Sequence, residues 1–150
     1  MNPTDTGIEY ELSRTYSASP AALFHALTNP VVLKRMWGVQ EITVDARVGG
    51  HAVATYVADG QDWSFTITYT ELSLEDGRLR WIARFKKFPS KETRVTVLLK
   101  QGEIGTSLTL RMGNFESTQE RDANRQAWER GLSVLAETKL GAPDDSETAL

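Results

Sequence analysis

The side chains that could do chemistry in this chain are two histidines, four tryptophans and a few polar residues set among apolar ones. His25 and His51 are the groups able to act as bases near neutral pH or to hold a metal. Neither stands in an H-E-x-x-H segment or beside carboxylates at ligand spacing, so both read as surface or rim residues. No G-x-S-x-G elbow, phosphate-binding loop or G-x-G-x-x-G turn occurs. No residue is therefore assigned to catalysis, to a metal or to a cofactor. The aromatic residues say more. Trp63, Phe65 and Tyr69 share one face of an alternating segment, Trp81 and Phe85 share one face of the next, and Tyr56 precedes them. With Trp37 and Trp128 they form either a filled aromatic core or an apolar pocket with a few polar groups, the usual make-up of a small-molecule site. Small inward residues (Ala52, Ala54, Ala83) would leave volume for the pocket, and Arg14, Arg121 and Asn124 would orient a ligand in it. The candidate ligand-binding set is thus Trp37, Tyr56, Trp63, Phe65, Trp81, Phe85, Arg121, Asn124 and Trp128.

These residues need elements to position them. Residues 8–16 alternate, with Ile8, Tyr10, Leu12 and Tyr16 on one face, which predicts a half-buried strand. Arg14 interrupts that face, either as a rim arginine paired with a carboxylate or as a charge aimed into a pocket. Ser19-Pro20 and Asn29-Pro30 are two helix starts in succession, each an N-cap followed by proline, and Gly38 is the stop. Alternation then predicts strands over 41–47, 51–58, 63–72, 79–85, 93–99 and 106–112. Gly49-Gly50, Asp59-Gly60 and Asp76-Gly77 supply turns, 86–90 reads as a connection because Pro89 does not suit a central strand, and 101–105 is a turn. Strands this close in sequence pair antiparallel, since parallel pairing needs a crossover helix.

Covering such a sheet falls to residues 118–140, a helix of roughly 34 Å at about 1.5 Å per residue. Ser117 and Glu120 have capping-box spacing, Lys139 complements the helix end, and Gly141 and Pro143 stop it. Trp128, Gly131, Leu132 and Leu135 form its apolar stripe, which continues backwards into Asn124 and Arg121. The helix start therefore either overhangs the sheet into solvent or lines the mouth of a cavity. Gly131 costs about 1 kcal/mol in a helix interior, which a close approach of helix to sheet would explain.

The 150 residues fit one domain, 1–150, with 1–7 and 142–150 as flexible tails. The absence of cysteine excludes a disulfide framework and suits a reducing cytoplasm. A net charge of -3 speaks against nucleic acid as a partner, and no run is apolar enough for a signal peptide or a membrane span. A homodimer stays open.

The local wording then carries a resemblance. L-S-R-T-Y-S-A-S-P at 12–20, F-H-A-L-T-N-P at 24–30, L-K-R-M-W-G at 33–38, D-A-R-V-G-G at 45–50, Y-T-E-L at 69–72 and G-T-S-L-T-L at 105–110, with Trp128 in the final helix, resemble the activator of heat-shock-protein-90 ATPase homologue family. Met36-Trp37 replaces the family's usual aromatic pair, and Ala127 stands where a glycine is common. The resemblance implies the α+β helix-grip fold of the START-like superfamily: a curved antiparallel sheet of six to seven strands around a long C-terminal helix, with two short helices after the first strand. It also implies binding of a small, largely apolar molecule between helix and sheet. Two alternatives accompany it. One is an enzyme resembling polyketide cyclases or aromatases, for which His51, Arg14 and Tyr56 would supply acid or base. The other is a chaperone-interacting module, for which nothing in the residues speaks.

Overall fold

Alternating apolar residues build one sheet, and proline-started helices bracket it. The computed structural model describes residues 6–86 and 88–138. The chain runs β1 (Glu9–Tyr16), α1 (Pro20–Ala26), α2 (Pro30–Trp37), β2 (Glu41–Val44), β3 (His51–Ala58), β4 (Gln61–Ser73), β5 (Arg78–Phe85), β6 (Phe88–Gln101), β7 (Thr106–Gly113) and α3 (Thr118–Glu137). The seven strands lie in the order β1-β7-β6-β5-β4-β3-β2, every neighbour antiparallel. β2 to β7 form a meander, and β1 closes it by pairing with β7. This is the helix-grip arrangement, with α3 against the apolar face of the sheet.

The starts of all three helices are held by side chains. Ser19 Oγ accepts from the Ala22 N–H (3.1 Å), Asn29 Oδ1 from the Val31 N–H (2.8 Å) and Ser117 Oγ from the Glu120 N–H (3.1 Å). Each satisfies a donor that the helix geometry leaves without an internal partner. Glu120 Oε1 reaches back one residue further than a capping box requires and accepts from the Glu116 N–H (2.7 Å).

Several local expectations are corrected by tertiary context. β2 ends at Val44, and Ala46 is exposed in a loop of residues 45–50. Gly49-Gly50 is the end of that loop, not a two-residue hairpin turn, and its backbone bonds to Tyr69 on β4 (Gly49 N–H to Tyr69 O, 2.8 Å). Pro89 falls inside β6, a central strand. The ladder shifts there: Ala83 pairs Thr93 while Phe85 pairs Phe88, so the β6 side carries extra residues where no ladder bond is required of a proline. Residues 6 and 7, expected in a loose tail, are tied down, with the Thr6 N–H donating to Asn114 Oδ1 (3.0 Å). The expectations for 1–5, for Lys139, Gly141 and Pro143 and for the tail 142–150 lie outside the described residues.

The core lies between sheet and helices. Leu79, Leu108, Leu110, Val95 and Val97 present the sheet face, α3 answers with Leu132 and Leu135, and α1 and α2 add Leu23 and Leu33. Each such side chain contributes about 1.5–3 kcal/mol through burial. Two buried tyrosines on β1 add directional bonds: the Tyr16 hydroxyl donates to the Leu132 carbonyl oxygen (2.9 Å), and that of Tyr10 to Asn124 Oδ1 (2.6 Å).

Burial disfavours the charged phenolate and pushes Tyr16 and Tyr69 up to about 12; Tyr10 is raised by the same cause. A proton bound more tightly in the folded than in the unfolded chain stabilises the fold at low pH. Below pH 10, the ordinary tyrosine value, that contribution is complete, and it is lost as pH rises towards 12. Urea melts should therefore give a constant tyrosine contribution from pH 7 to 9 and a steep loss of stability between pH 10 and 12. Replacing Tyr16 and Tyr69 by Phe should flatten that loss.

Candidate functional site

Trp128 on α3 is the last fully packed residue towards the helix start: ahead of it, Asn124 is half-buried and Ala127 exposed. Around this point helix and sheet part, leaving a cavity of about 250 Å³. Buried Ile67, Trp81, Ala83 and Met112 form its floor, and half-buried Trp37, Tyr56, Phe65, Phe85 and Asn124 form its mouth. The aromatic walls touch one another in sequence. Trp128 stacks on Trp81 (centroids 6.3 Å, 28°) and meets Trp37 edge to face (6.0 Å, 76°). Trp37 then meets Phe65 (5.4 Å), which contacts Phe85 (5.3 Å) and Tyr56 (6.4 Å). Offset and edge-on pairs at these separations are the favoured ones and hold the rings in place.

Each wall residue is placed by its element. Trp81, Ala83 and Phe85 alternate inward on β5, and Phe65 and Ile67 on β4 pair with Phe85 and Ala83. Ala83 leaves a gap between two large aromatics. Ala52 and Ala54, expected to share in this, are buried elsewhere and do not line the cavity. Trp37 ends α2 and is fixed by the approach of α2 to α3. A Cβ on Gly131 would stand 2.9 Å from the Met36 carbonyl oxygen. The glycine therefore serves a helix-on-helix contact, not the helix-on-sheet contact that its position in the stripe suggested.

Seven of the nine predicted site residues come together here: Trp37, Tyr56, Phe65, Trp81, Phe85, Asn124 and Trp128. Trp63 does not. Its inward position is two residues, or about 7 Å, beyond Phe65 towards the β3–β4 turn, and its indole N–H donates to the Ala58 carbonyl oxygen (3.2 Å). Arg121 does not either: it lies nearly a turn ahead of Asn124 and pairs with Asp122 (3.0 Å). The two readings of the helix start both hold, divided between these residues: Asn124 lines the cavity and Arg121 overhangs. Gly38, Val39, Ile67, Met112 and Ala127 were missed. Alternation marks Ile67 and Met112 as inward, but only the strand order sets them against a gap.

The three residues considered for acid–base work are apart. His51 is exposed on the outer face of β3, its Nδ1 bonded to Thr68 Oγ1 (3.0 Å), whereas Tyr56 faces the cavity. Arg14 is on β1, with four strands between it and β3, and donates to its neighbour's carbonyl oxygen at Ser13 (2.9 Å), with no carboxylate partner among the described residues. His25 is exposed on α1. Among the described residues no three His, Asp or Glu side chains cluster as metal ligands would, and no helix is long and apolar enough to cross a membrane. Among the described residues no cavity-lining side chain is charged, and burial raises the Tyr56 hydroxyl above its ordinary value, keeping it protonated at neutral pH.

A family model described as Activator of Hsp90 ATPase homolog 1-like protein matches residues 17–139. The chain belongs to this family. The match spans α1 to α3 and so contains every residue of the cavity wall. No curated protein matches the chain. Among solved structures it is similar to a protein from Chromobacterium violaceum at 25% identity, covering 86% of this chain and 95% of that one with a TM-score of 0.76. It is also similar to the Mll3558 protein from Rhizobium loti (22% identity, 87% and 95% covered, TM-score 0.72). An HSP90 activator from Plasmodium falciparum is similar at 22% identity, with 89% and 99% covered and a TM-score of 0.70. At these identities the last two share the fold. Of the two places where this chain departs from the family wording, Ala127 lines the cavity, and Met36 lies at the helix contact with Gly131.

The Gly131 contact gives a direct test of how the wall is positioned. Gly131→Ala gains up to about 1 kcal/mol of helix propensity. It also pushes a methyl group against the α2 backbone, and crowding of that kind costs about 1–3 kcal/mol. Thermal melts should show a net loss of stability, and the emission of Trp37 and Trp128 should shift towards that of solvent-exposed indole.

Proposed function

We propose that this chain binds a small, largely apolar molecule in the cavity beneath Trp128, between α3 and the sheet. The observation that supports this best is an uncharged aromatic pocket of about 250 Å³ whose rings come from α2, α3, β3, β4 and β5. Burying apolar ligand surface there contributes about 25 cal/mol per Å², and the rings are already held by their mutual contacts. A void of roughly 150 Å³ admits benzene, so this volume suits a molecule of one or two fused rings. Of the three residues named for the cyclase-like alternative only Tyr56 reaches the wall, and no charged side chain among the described residues joins it there, which favours binding over turnover. The chaperone-interacting alternative draws on the family's name and on a neighbour of the same fold. A cytoplasmic location belongs to the same proposal, on the cysteine-free composition.

The test uses the wall's own tryptophans. N-phenyl-1-naphthylamine, a neutral apolar probe, should quench them by energy transfer and itself brighten on binding. Ala83→Leu should fill the floor between Trp81 and Phe85, weaken the probe by tenfold or more and leave the melting temperature unchanged or higher. A probe affinity untouched by Ala83→Leu would place binding elsewhere and refute the assignment. Mass spectrometry of what co-purifies with the native protein would then identify the natural occupant.

A further inference from the structure

The cavity is aromatic, but its few polar groups are of one kind. Asn124 is the amide at its wall. Its Oδ1 accepts the Tyr10 hydroxyl proton at 2.6 Å, and this orients the amide with Nδ2 turned away from Tyr10. Nδ2 has no protein acceptor among the described residues and is left as a donor. The indole N–H groups of Trp37, Trp81 and Trp128 also have no protein acceptor among the described residues, whereas that of Trp63, outside the cavity, is bonded to Ala58. None of the three is a sealed, unsatisfied donor, so each opens onto accessible space. Trp81 and Trp128 are only 3% and 6% exposed and both line the cavity. Against these donors the wall's described side chains offer two oxygens able to accept, the Tyr56 hydroxyl and Asn124 Oδ1, the second already engaged by Tyr10.

Resting on the binding function proposed above, we infer that the site selects an uncharged, planar aromatic molecule bearing a carbonyl or similar hydrogen-bond acceptor, with Asn124 as the donor to it and Tyr10 as the positioning residue. A hydrocarbon of the same shape would leave the amide N–H groups unpaired on closure, which is unfavourable for buried donors. A carboxylate would meet donors but no countercharge among the described lining residues, and its lost hydration would not be replaced. Tyr10 acts at one remove. Without its hydroxyl proton the amide is free to turn and present Oδ1 instead, so the polarity of the wall, and not its shape, depends on this tyrosine.

Three naphthalene probes of nearly equal size separate these ideas: 2-acetylnaphthalene, 2-isopropylnaphthalene and 2-naphthoate, titrated against tryptophan fluorescence. Asn124→Leu keeps the volume and removes the donor. It should weaken the ketone about fivefold, the worth of one hydrogen bond, and leave the hydrocarbon unchanged. Tyr10→Phe should weaken the ketone in the same direction by less, again sparing the hydrocarbon; a merely structural role would weaken both together. The naphthoate should bind worse than the ketone to the wild-type protein. The inference is overturned if Asn124→Leu changes both neutral probes equally or neither, or if the carboxylate binds as tightly as the ketone. Should neither neutral probe bind the wild-type protein, the binding function itself fails. Hydrocarbon binding without any effect of Asn124→Leu on the ketone would instead refute only the selectivity.

Discussion

The approach of α3 to α2 at Gly131 is the constraint on which the rest of this molecule depends. A backbone carbonyl, that of Met36, occupies the space a side chain would need. With the two helices in contact there, the residues on either side of the contact are committed. Trp37, next after Met36, and Trp128, three residues before Gly131, are brought edge to face at 6.0 Å. Trp81 on β5 stacks under Trp128. Packing of α3 is complete from Trp128 to Leu135 and lapses ahead of Trp128. The cavity lies where the helix has left its close contact and not yet lost the sheet.

On the other flank the same helix is held by hydroxyl groups. Tyr10 and Tyr16 on β1 reach Asn124 and Leu132, one bond ahead of the helix contact and one beside it. A buried hydroxyl must be bonded or it destabilises, so these two bonds fix the rotation of α3 about its axis as well as its distance from the sheet. The arrangement also explains how a half-buried amide is tolerated at the cavity wall. Asn124 has one of its amide's four hydrogen bonds supplied from β1, and the residue lines the opening, where the others can be met.

Most of the fold was legible because its signals are local. Ser19-Pro20, Asn29-Pro30 and Ser117 mark their helix starts through side-chain bonds to the next few N–H groups, which sequence spacing alone determines. Asp59-Gly60 makes its hairpin because both residues take positive φ (55° and 71°). What stayed hidden needed partners far along the chain. Pro89 is admitted to a central strand by a register shift against β5 that no local pattern records. Trp63 has the same alternation phase as Phe65, but only Phe65 is met by Trp37 from α2, a partner that β4 itself does not reveal. Gly131 announced a close approach without naming its partner, and the partner is a helix. In the site, aromatic content and inward phase were readable. The donor character of the wall was not, since it arises from a bond across 114 positions between Tyr10 and Asn124.

The cavity also bears on why such an opening persists in a core otherwise filled. At about 24 cal/mol per Å³, a sealed void of 250 Å³ would cost roughly 6 kcal/mol, comparable to the net stability of a whole domain. Filling would be simple, since a larger side chain at Ala83 has two flanking aromatics to pack against. The opening is instead left unsealed, with half-buried rings at its mouth, which lowers the cost of the void but keeps apolar surface in contact with water. That exposed surface is the part a bound ring system would cover. The free energy the core forgoes at Ala83 is therefore available to an occupant, and the rigid seam from Trp128 to Phe85 means little of it is spent on ordering the wall.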